Sequence, residues 1–273
     1  MNGDRLNRIN RKSLNVTSPR LQGLVDRSID VLESLLQDRE VPPLDRAAIA
    51  LKILEATGGD LRQTLPSVNV NIPDSPLVLG SYVQMENFLS PSENKQALQI
   101  AIASADQFVA STTTTGAVNY RESSILYATK FPEYYKFMKG RILETLPQVL
   151  SQLKHPPFTV AEVEMQLTAH HNGGYYKIHN DSSSAKTKTR TITYVYYFYD
   201  EPKAFTGGQL RLYETELRNG VAYNKETFKT IEPINNSIVF FDSRCKHEVI
   251  PVSCNSPNFK DGRFTLNGWL RRG

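Results

Sequence analysis

The chain has 273 residues, 40% of them hydrophobic and 22% charged, with a net charge of +4. This balance excludes a disordered or fibrous protein and leaves room for one large domain with an appendage. No apolar run of about 18 residues is present to span a membrane, the start MNGDRLNRIN lacks the apolar stretch of a secretory signal, and Cys245 and Cys254 are too few for a disulfide framework, so a reducing cytoplasm is the expected setting.

Residues 1 to about 20 are polar, with Arg5, Arg8, Arg11, Lys12 and Arg20 set against Asp4, and read as a disordered basic arm. No aromatics interleave with these cations, so nucleic acid is not an expected partner. Apolar residues from Leu21 to Leu36 recur at helical spacing and predict a helix over 21–37. A second helix is expected from Leu44 to about Ala56, stopped by Gly58-Gly59, and a connector with three prolines covers 60–76. The expected division is an N-terminal arm and helical appendage over 1–75 and a main domain over 76–273. The helices could grip a peptide, mediate a homodimer, or simply pack on the main domain.

Leu77 to Met85 alternates like a strand. Ser90-Pro91-Ser92-Glu93 resembles a capping box with proline at the first helical position, opening a helix with Ala97, Ile100, Ala101, Ala105 and Phe108 on one face. A further helix fits Glu133 to about Leu153, with Leu143, Leu146, Val149, Leu150 and Leu153 inward. Pro147 is expected to kink or divide it. From Phe158 the period changes to about two in VAEVEMQL, TITYVYYFY, GGQLRLY, SIVFF and FTLNGWL, segments rich in β-branched and aromatic residues. Helices followed by many short strands predict an α+β chain with a jelly-roll or related barrel.

Two of the five histidines have distinctive settings. His179 and Asp181 lie two residues apart at the end of an aromatic stretch, so a strand would aim both at one point. His247 follows the strand SIVFF. Two imidazoles and one carboxylate on one face of an octahedron suit Fe(II) or Mn(II) and leave positions open for further ligands. A lone His-x-Asp triplet is weak evidence, because such residues also cap turns. Arg263 strengthens it. An arginine inside the apolar strand GRFTLNGWL is costly to bury unpaired, and a dicarboxylic acid entering the barrel would supply the partner. Thr265, two residues on, would share its face and add a hydroxyl. A surface-facing arginine is the alternative.

Taken together, YYKIHND, RTITYVYYFYDEP, TGGQLRLYE, SIVFFDSRCKHEVIPV and GRFTLNGW resemble the prolyl-hydroxylase-type 2-oxoglutarate/Fe(II) dioxygenases, especially the hypoxia-sensing prolyl hydroxylases, over about residues 168–270. The resemblance implies a double-stranded β-helix with supporting helices and with His179, Asp181 and His247 as iron ligands. It implies that Arg263 and Tyr197 bind the distal carboxylate of 2-oxoglutarate, that Thr193 lines that pocket, and that Tyr176 sits near the iron. Fe(II) and 2-oxoglutarate are the implied cofactors, with ascorbate as a candidate auxiliary. The implied reaction is O₂-dependent hydroxylation of an amino-acid side chain, peptidyl or free, with proline a candidate, releasing succinate and CO₂. Related halogenases carry a small residue in place of the carboxylate, so Asp181 favours hydroxylation. A small-metabolite oxygenase and a non-catalytic barrel are the alternatives. Gly207-Gly208 is read as a backbone turn, Glu214 to Lys229 as an extended rim segment, and His170 and His171 as loop histidines, either exposed or in contact with substrate or co-substrate.

Overall fold

Residues that alternate between two environments must lie in strands whose two faces meet different layers, and from Val160 onward this chain does so. The computed structural model describes residues 77–111, 119–218 and 220–273, and before them Val31 and Ser34, both helical. The expectations for the basic arm, the remainder of the two helices, the connector and a dimer made through them lie outside the described residues. Among the described residues, no helix is long and apolar enough to cross a membrane.

From Leu77 onward, fifteen strands and two α-helices are described. One sheet has seven strands in the order β2 (Tyr82–Met85), β12 (Ser237–Asp242), β8 (Arg190–Phe198), β15 (Arg263–Arg272), β6 (Val160–His170), β5 (Ser124–Tyr127) and β3 (Val109–Ala110). The second runs β1 (Leu77–Leu79), β10 (Leu210–Arg218), β13 (His247–Val249), β7 (Tyr175–His179) and β4 (Arg121–Glu122), with β11 (Val221–Ile231) also paired to β10. A small ladder joins β9 (Thr206–Gly207) to β14 (Val252–Ser253). The described residues from Leu77 onward are thus mostly β-sheet with two helices, in a jelly-roll arrangement.

The pleat of the seven-stranded sheet separates core from site. Tyr194, Tyr196 and Phe198 of β8, with Phe264, Leu266 and Leu270 of β15, join the core that also holds residues of both helices. Thr193, Val195 and Tyr197, with Arg263, Thr265 and Asn267, point the other way and line a cavity between the sheets. Burying so many aromatic side chains contributes the largest favourable term to such a fold.

The first helix, α1 (Pro91–Ala103), begins as expected: the Ser90 hydroxyl accepts from the Glu93 amide, and the Glu93 carboxylate accepts from the Ser90 amide. It ends earlier than its apolar face suggested, so Ala105 lies in a following 3-10 turn. The second helix, α2 (Pro132–Leu153), runs on through Pro147 as one element, so of the expected kink or division the division does not occur. Its buried face is Tyr134, Met138, Ile142, Leu146, Val149 and Leu150, with Leu143 and Leu153 only partly buried. Packing of that face against the sheet outweighs the one hydrogen bond proline removes.

Two further expectations are corrected. The stretch Leu77–Met85 is not one strand: Gly80, at φ +152°, breaks it so that β1 and β2 join different sheets. Glu214–Lys229, expected as an extended segment between two strands, is itself most of the β10–β11 hairpin, turning at Gly220 with φ +77°.

Candidate metal and co-substrate site

Register brings the two histidines together. Strands β7 and β13 pair antiparallel with His179 directly opposite His247, and their rings lie 4.2 Å apart. Asp181 leaves the end of β7 and is fixed where its amide donates to the Ser243 carbonyl at 2.9 Å. His179 Nε2 lies 3.7 Å from Asp181 Oδ1, and His247 Nε2 lies 3.5 Å from Oδ2. One ligand atom from each residue falls within 4.8 Å of the others.

The orientation of each group is fixed from behind. His179 Nδ1 is 2.7 Å from the Lys177 carbonyl and His247 Nδ1 is 3.0 Å from the Cys245 carbonyl. A carbonyl can only accept, so both Nδ1 atoms carry the proton and both Nε2 lone pairs face inward. Burial, aided by His247, pushes the pKa of His179 down to about 3, which keeps it neutral and able to ligate. The Thr193 hydroxyl donates to Asp181 Oδ2 at 2.8 Å and also meets Ser243 Oγ at 2.9 Å. Thr193 does line the cavity, as expected, but its hydroxyl serves the carboxylate. Tyr176 stacks on the His179 ring at 3.5 Å between centroids, with the Arg121 guanidinium 4.7 Å from its own centroid.

The same cavity, of about 780 Å³, reaches Arg263 at its other end. Arg263 is 1% exposed, so the surface-facing alternative is excluded. Among the described residues no carboxylate pairs with it, and its Nε has no hydrogen-bond partner. Its guanidinium lies 5.1 Å from the Tyr197 ring centroid, and the buried Tyr197 hydroxyl is likewise unpartnered. Thr265 is buried on the same side, 3.5 Å from Asn267 Oδ1. Gly208, at φ +70°, packs so closely that a Cβ there would lie 2.5 Å from Arg263 Cδ. Gly207 therefore ends β9 and Gly208 follows it, both with left-handed φ, where a turn was expected, and Gly208 is also a wall of the arginine channel.

The exposed-loop reading is overturned for His170, while His171 does lie in the loop after β6. His170 ends β6 opposite Arg263 and is 3% exposed; its Nδ1 lies 3.3 Å from Arg263 Nη1. His171 is half-buried against Phe259. A second cluster went unanticipated: Glu164 holds Arg190, through Nη2 at 2.5 Å, and Arg271, while Arg190 covers the Trp269 ring at 3.5 Å. Its signal was present in VAEVEMQLTAH, where Glu162, Glu164, Gln166, Thr168 and His170 share one face of β6.

The donor set fits a hard-to-borderline divalent metal such as Fe(II) with open positions. The buried, unpartnered donors of Arg263 and Tyr197 fit a carboxylate, since such groups are costly to leave unsatisfied. A jelly-roll holding these two features in one cavity defines a mononuclear non-haem metal oxygenase with an acidic co-substrate. A family model described as the 2OG-Fe(II) oxygenase superfamily matches residues 165–271. An uncharacterised PKHD-type hydroxylase from Synechocystis sp. (strain ATCC 27184 / PCC 6803 / Kazusa) is 43% identical, over 93% of this chain and 94% of its own. The chain belongs to the PKHD-type hydroxylases, carries a 2OG-Fe(II) oxygenase domain over residues 165–271, and is an Fe(II)- and 2-oxoglutarate-dependent hydroxylase. Among solved structures, a prolyl hydroxylase from Trichoplax adhaerens, in complex with a hypoxia inducible factor peptide fragment, is similar with a TM-score of 0.53 and 20% identity, over 70% of this chain and 83% of that one. A non-haem α-ketoglutarate-dependent epimerase from nogalamycin biosynthesis reaches a TM-score of 0.50 at 14% identity, over 71% and 78%. These two likenesses concern the fold.

Proposed function

We propose that His179, Asp181 and His247 hold the iron, and that Arg263, with Tyr197 and Thr265, binds the distal carboxylate of 2-oxoglutarate. The observation that carries this reading is a fully buried guanidinium without a carboxylate partner among the described residues, in one cavity with the His-Asp-His cluster. Iron and 2-oxoglutarate, once bound, supply the activation of O₂, with succinate and CO₂ as co-products.

The chain's own residues then orient and exclude. The two Nδ1–carbonyl bonds hold the imidazoles in their ligating tautomer, Thr193 holds the Asp181 carboxylate, and Tyr176 backs His179. The substrate in this reading is an amino-acid side chain, peptidyl or free. The cavity reaches the exposed Tyr127 and Glu162 and so opens to solvent there, and the peptide held by the Trichoplax enzyme supports the same class. Residues 76–273 would form the catalytic domain, with 1–75 as an appendage.

The test is anaerobic titration of the protein with Fe(II) and 2-oxoglutarate, followed by mass spectrometry of extracts. A visible charge-transfer band should form and vanish in His179→Ala, and a +16 product on a peptide or amino acid should vanish in Asp181→Ala. No band and no succinate release would overturn the iron and co-substrate assignments. A +16 product on some other small metabolite would overturn the amino-acid substrate alone.

A further inference from the structure

Among the described residues three arginines line the cavity: Arg190 is held by Glu164, Arg263 is assigned to the co-substrate, and Arg121 remains. It stands on β4 directly opposite Tyr176 of β7. Its Nε donates to Ser123 Oγ at 2.8 Å, and its guanidinium carbon lies 4.7 Å from the Tyr176 ring centroid. That ring stacks in turn on His179, so a cation sits one side chain away from the metal cluster. No carboxylate among the described residues pairs with it. The charge of Asp181 reaches it, but Asp181 meets the two histidines at ion-pair distance and not Arg121. Burial pulls the Arg121 pKa down, so the cation is kept here against a desolvation cost that contact with one ring offsets only in part. The Tyr176 hydroxyl stands beside the guanidinium, and burial, with Asp181 nearby, pushes its pKa up to about 12, so it stays a neutral donor. Arg121 and Tyr176 thus repeat, at the metal end of the cavity, the guanidinium–phenol pair that Arg263 and Tyr197 form at the other.

Resting on the site reading above, we infer that Arg121 and Tyr176 receive a free carboxylate of the substrate, which is therefore a free amino acid or the C-terminal residue of a peptide. The co-substrate reading commits the distal carboxylate of 2-oxoglutarate to Arg263 and its other end to the iron, so a second guanidinium calls for a second acid. With Nε taken by Ser123, the two Nη groups of Arg121 present the end of the fork, which matches a carboxylate bidentately. A carboxamide or an internal peptide carbonyl offers one neutral acceptor there and leaves the cation uncompensated. A carboxylate held beside Tyr176 also brings the carbons next to it, and not those of a distant part of a chain, close to the metal cluster.

The experiment is calorimetric titration into the full chain loaded with Mn(II) and 2-oxoglutarate, with melting temperature measured for each variant. The probes are the free amino acids and the tripeptides Gly-Gly-Xaa, each as the acid and as the carboxamide. At least one acid should bind, with its carboxamide weaker by about tenfold or more, because hydrogen bonds between two charged groups exceed those to a neutral one. In Arg121→Gln that preference should be lost, and Arg121→Lys, which keeps the charge, should restore part of it. The Kd of 2-oxoglutarate itself should stay near that of the parent in both. Should Arg121→Gln fail to fold, Tyr176→Phe decides: it keeps the ring and removes one donor, so the acid should weaken more than the carboxamide. Acid binding confined to amino acids, or to tripeptides, supports the inference either way and tells the two sources apart. Equal binding of acid and carboxamide, no binding from either panel, or a preference that survives Arg121→Gln or is untouched in Tyr176→Phe overturns the Arg121 assignment alone. So does a 2-oxoglutarate Kd raised about tenfold in Arg121→Gln, which would give the guanidinium to the co-substrate. Failure of the parent protein to bind 2-oxoglutarate overturns the co-substrate reading itself.

Discussion

Thr193 shows how a side chain that touches no metal can decide whether one binds. Its hydroxyl is shared between Asp181 Oδ2 and Ser243 Oγ, deep in the cavity wall. Without it the carboxylate keeps its place in the chain but loses the donor that orients it. Thr193→Val, close in shape, should therefore weaken Fe(II) or Mn(II) binding by about tenfold or more, and Thr193→Ser should restore it. Metal titration of the two variants checks this; equal affinity in Thr193→Val and the parent would mean the hydroxyl does nothing for the site. At this scale the sequence was informative where chemistry is rare. Two histidines, an aspartate and an arginine in an apolar strand have few reasons to lie together. The role of Thr193 was not legible, because threonine in a strand is ordinary and its partner lies twelve residues away. His170 was misread as exposed because the end of β6 depends on its pairing with β15, which only the fold reveals.

At the scale of elements, alternation along β6, β8 and β15 was legible and proved decisive, since it sends tyrosines 194 and 196 to the core and Tyr197 to the cavity. Turns and pairings were less so. Gly208 read only as part of a turn, whereas it also leaves room for the stem of Arg263. Gly208→Ala meets two obstacles, a left-handed φ of +70° and a Cβ that would stand 2.5 Å from Arg263 Cδ. The variant should raise the KM for 2-oxoglutarate by about tenfold or more through displacement of the guanidinium, with metal affinity nearly unchanged; a changed metal affinity with an unchanged KM would contradict it. Glu164 ties strands together in another way. It receives Arg190 of β8 and Arg271 of β15 at a place where the three side chains are 15–20% exposed. Glu164→Ala would leave two arginines facing each other without a carboxylate between them, and should lower stability by about 3 kcal/mol. Denaturant unfolding measures it, and a loss under about 1 kcal/mol would show the cluster to be no stronger than a surface pair.

For the whole molecule, a cavity lined with buried neutral imidazoles ties stability to acidity. In the folded protein the pKa of His179 is pushed down to about 3, and that of His170 lies far below the ordinary value. In the unfolded chain both return to about 6.5. Below that pH the unfolded chain binds protons that the folded one refuses, so stability falls as pH falls. Each such group contributes a slope of up to about 1.4 kcal/mol per pH unit. The window for His179 runs from about 6.5 down to about 3; that for His170 opens at the same upper edge. The metal-free protein should therefore lose melting temperature steadily between neutral and mildly acidic pH. A metal that binds only the folded, neutral site adds stability at neutral pH, and that increment should shrink as protons compete for the imidazoles. His170→Gln separates the two contributions. It removes one titrating ring that is not among the proposed metal ligands, so its stability should fall less steeply with acid than that of the parent, by about one proton's worth of slope. The metal-dependent increment at neutral pH should remain. Melting curves of both proteins from pH 7.5 to 5, with and without Mn(II), measure this. Parallel acid dependence would mean that His170 already titrates normally in the fold, and that burial beside two arginines does not keep it neutral.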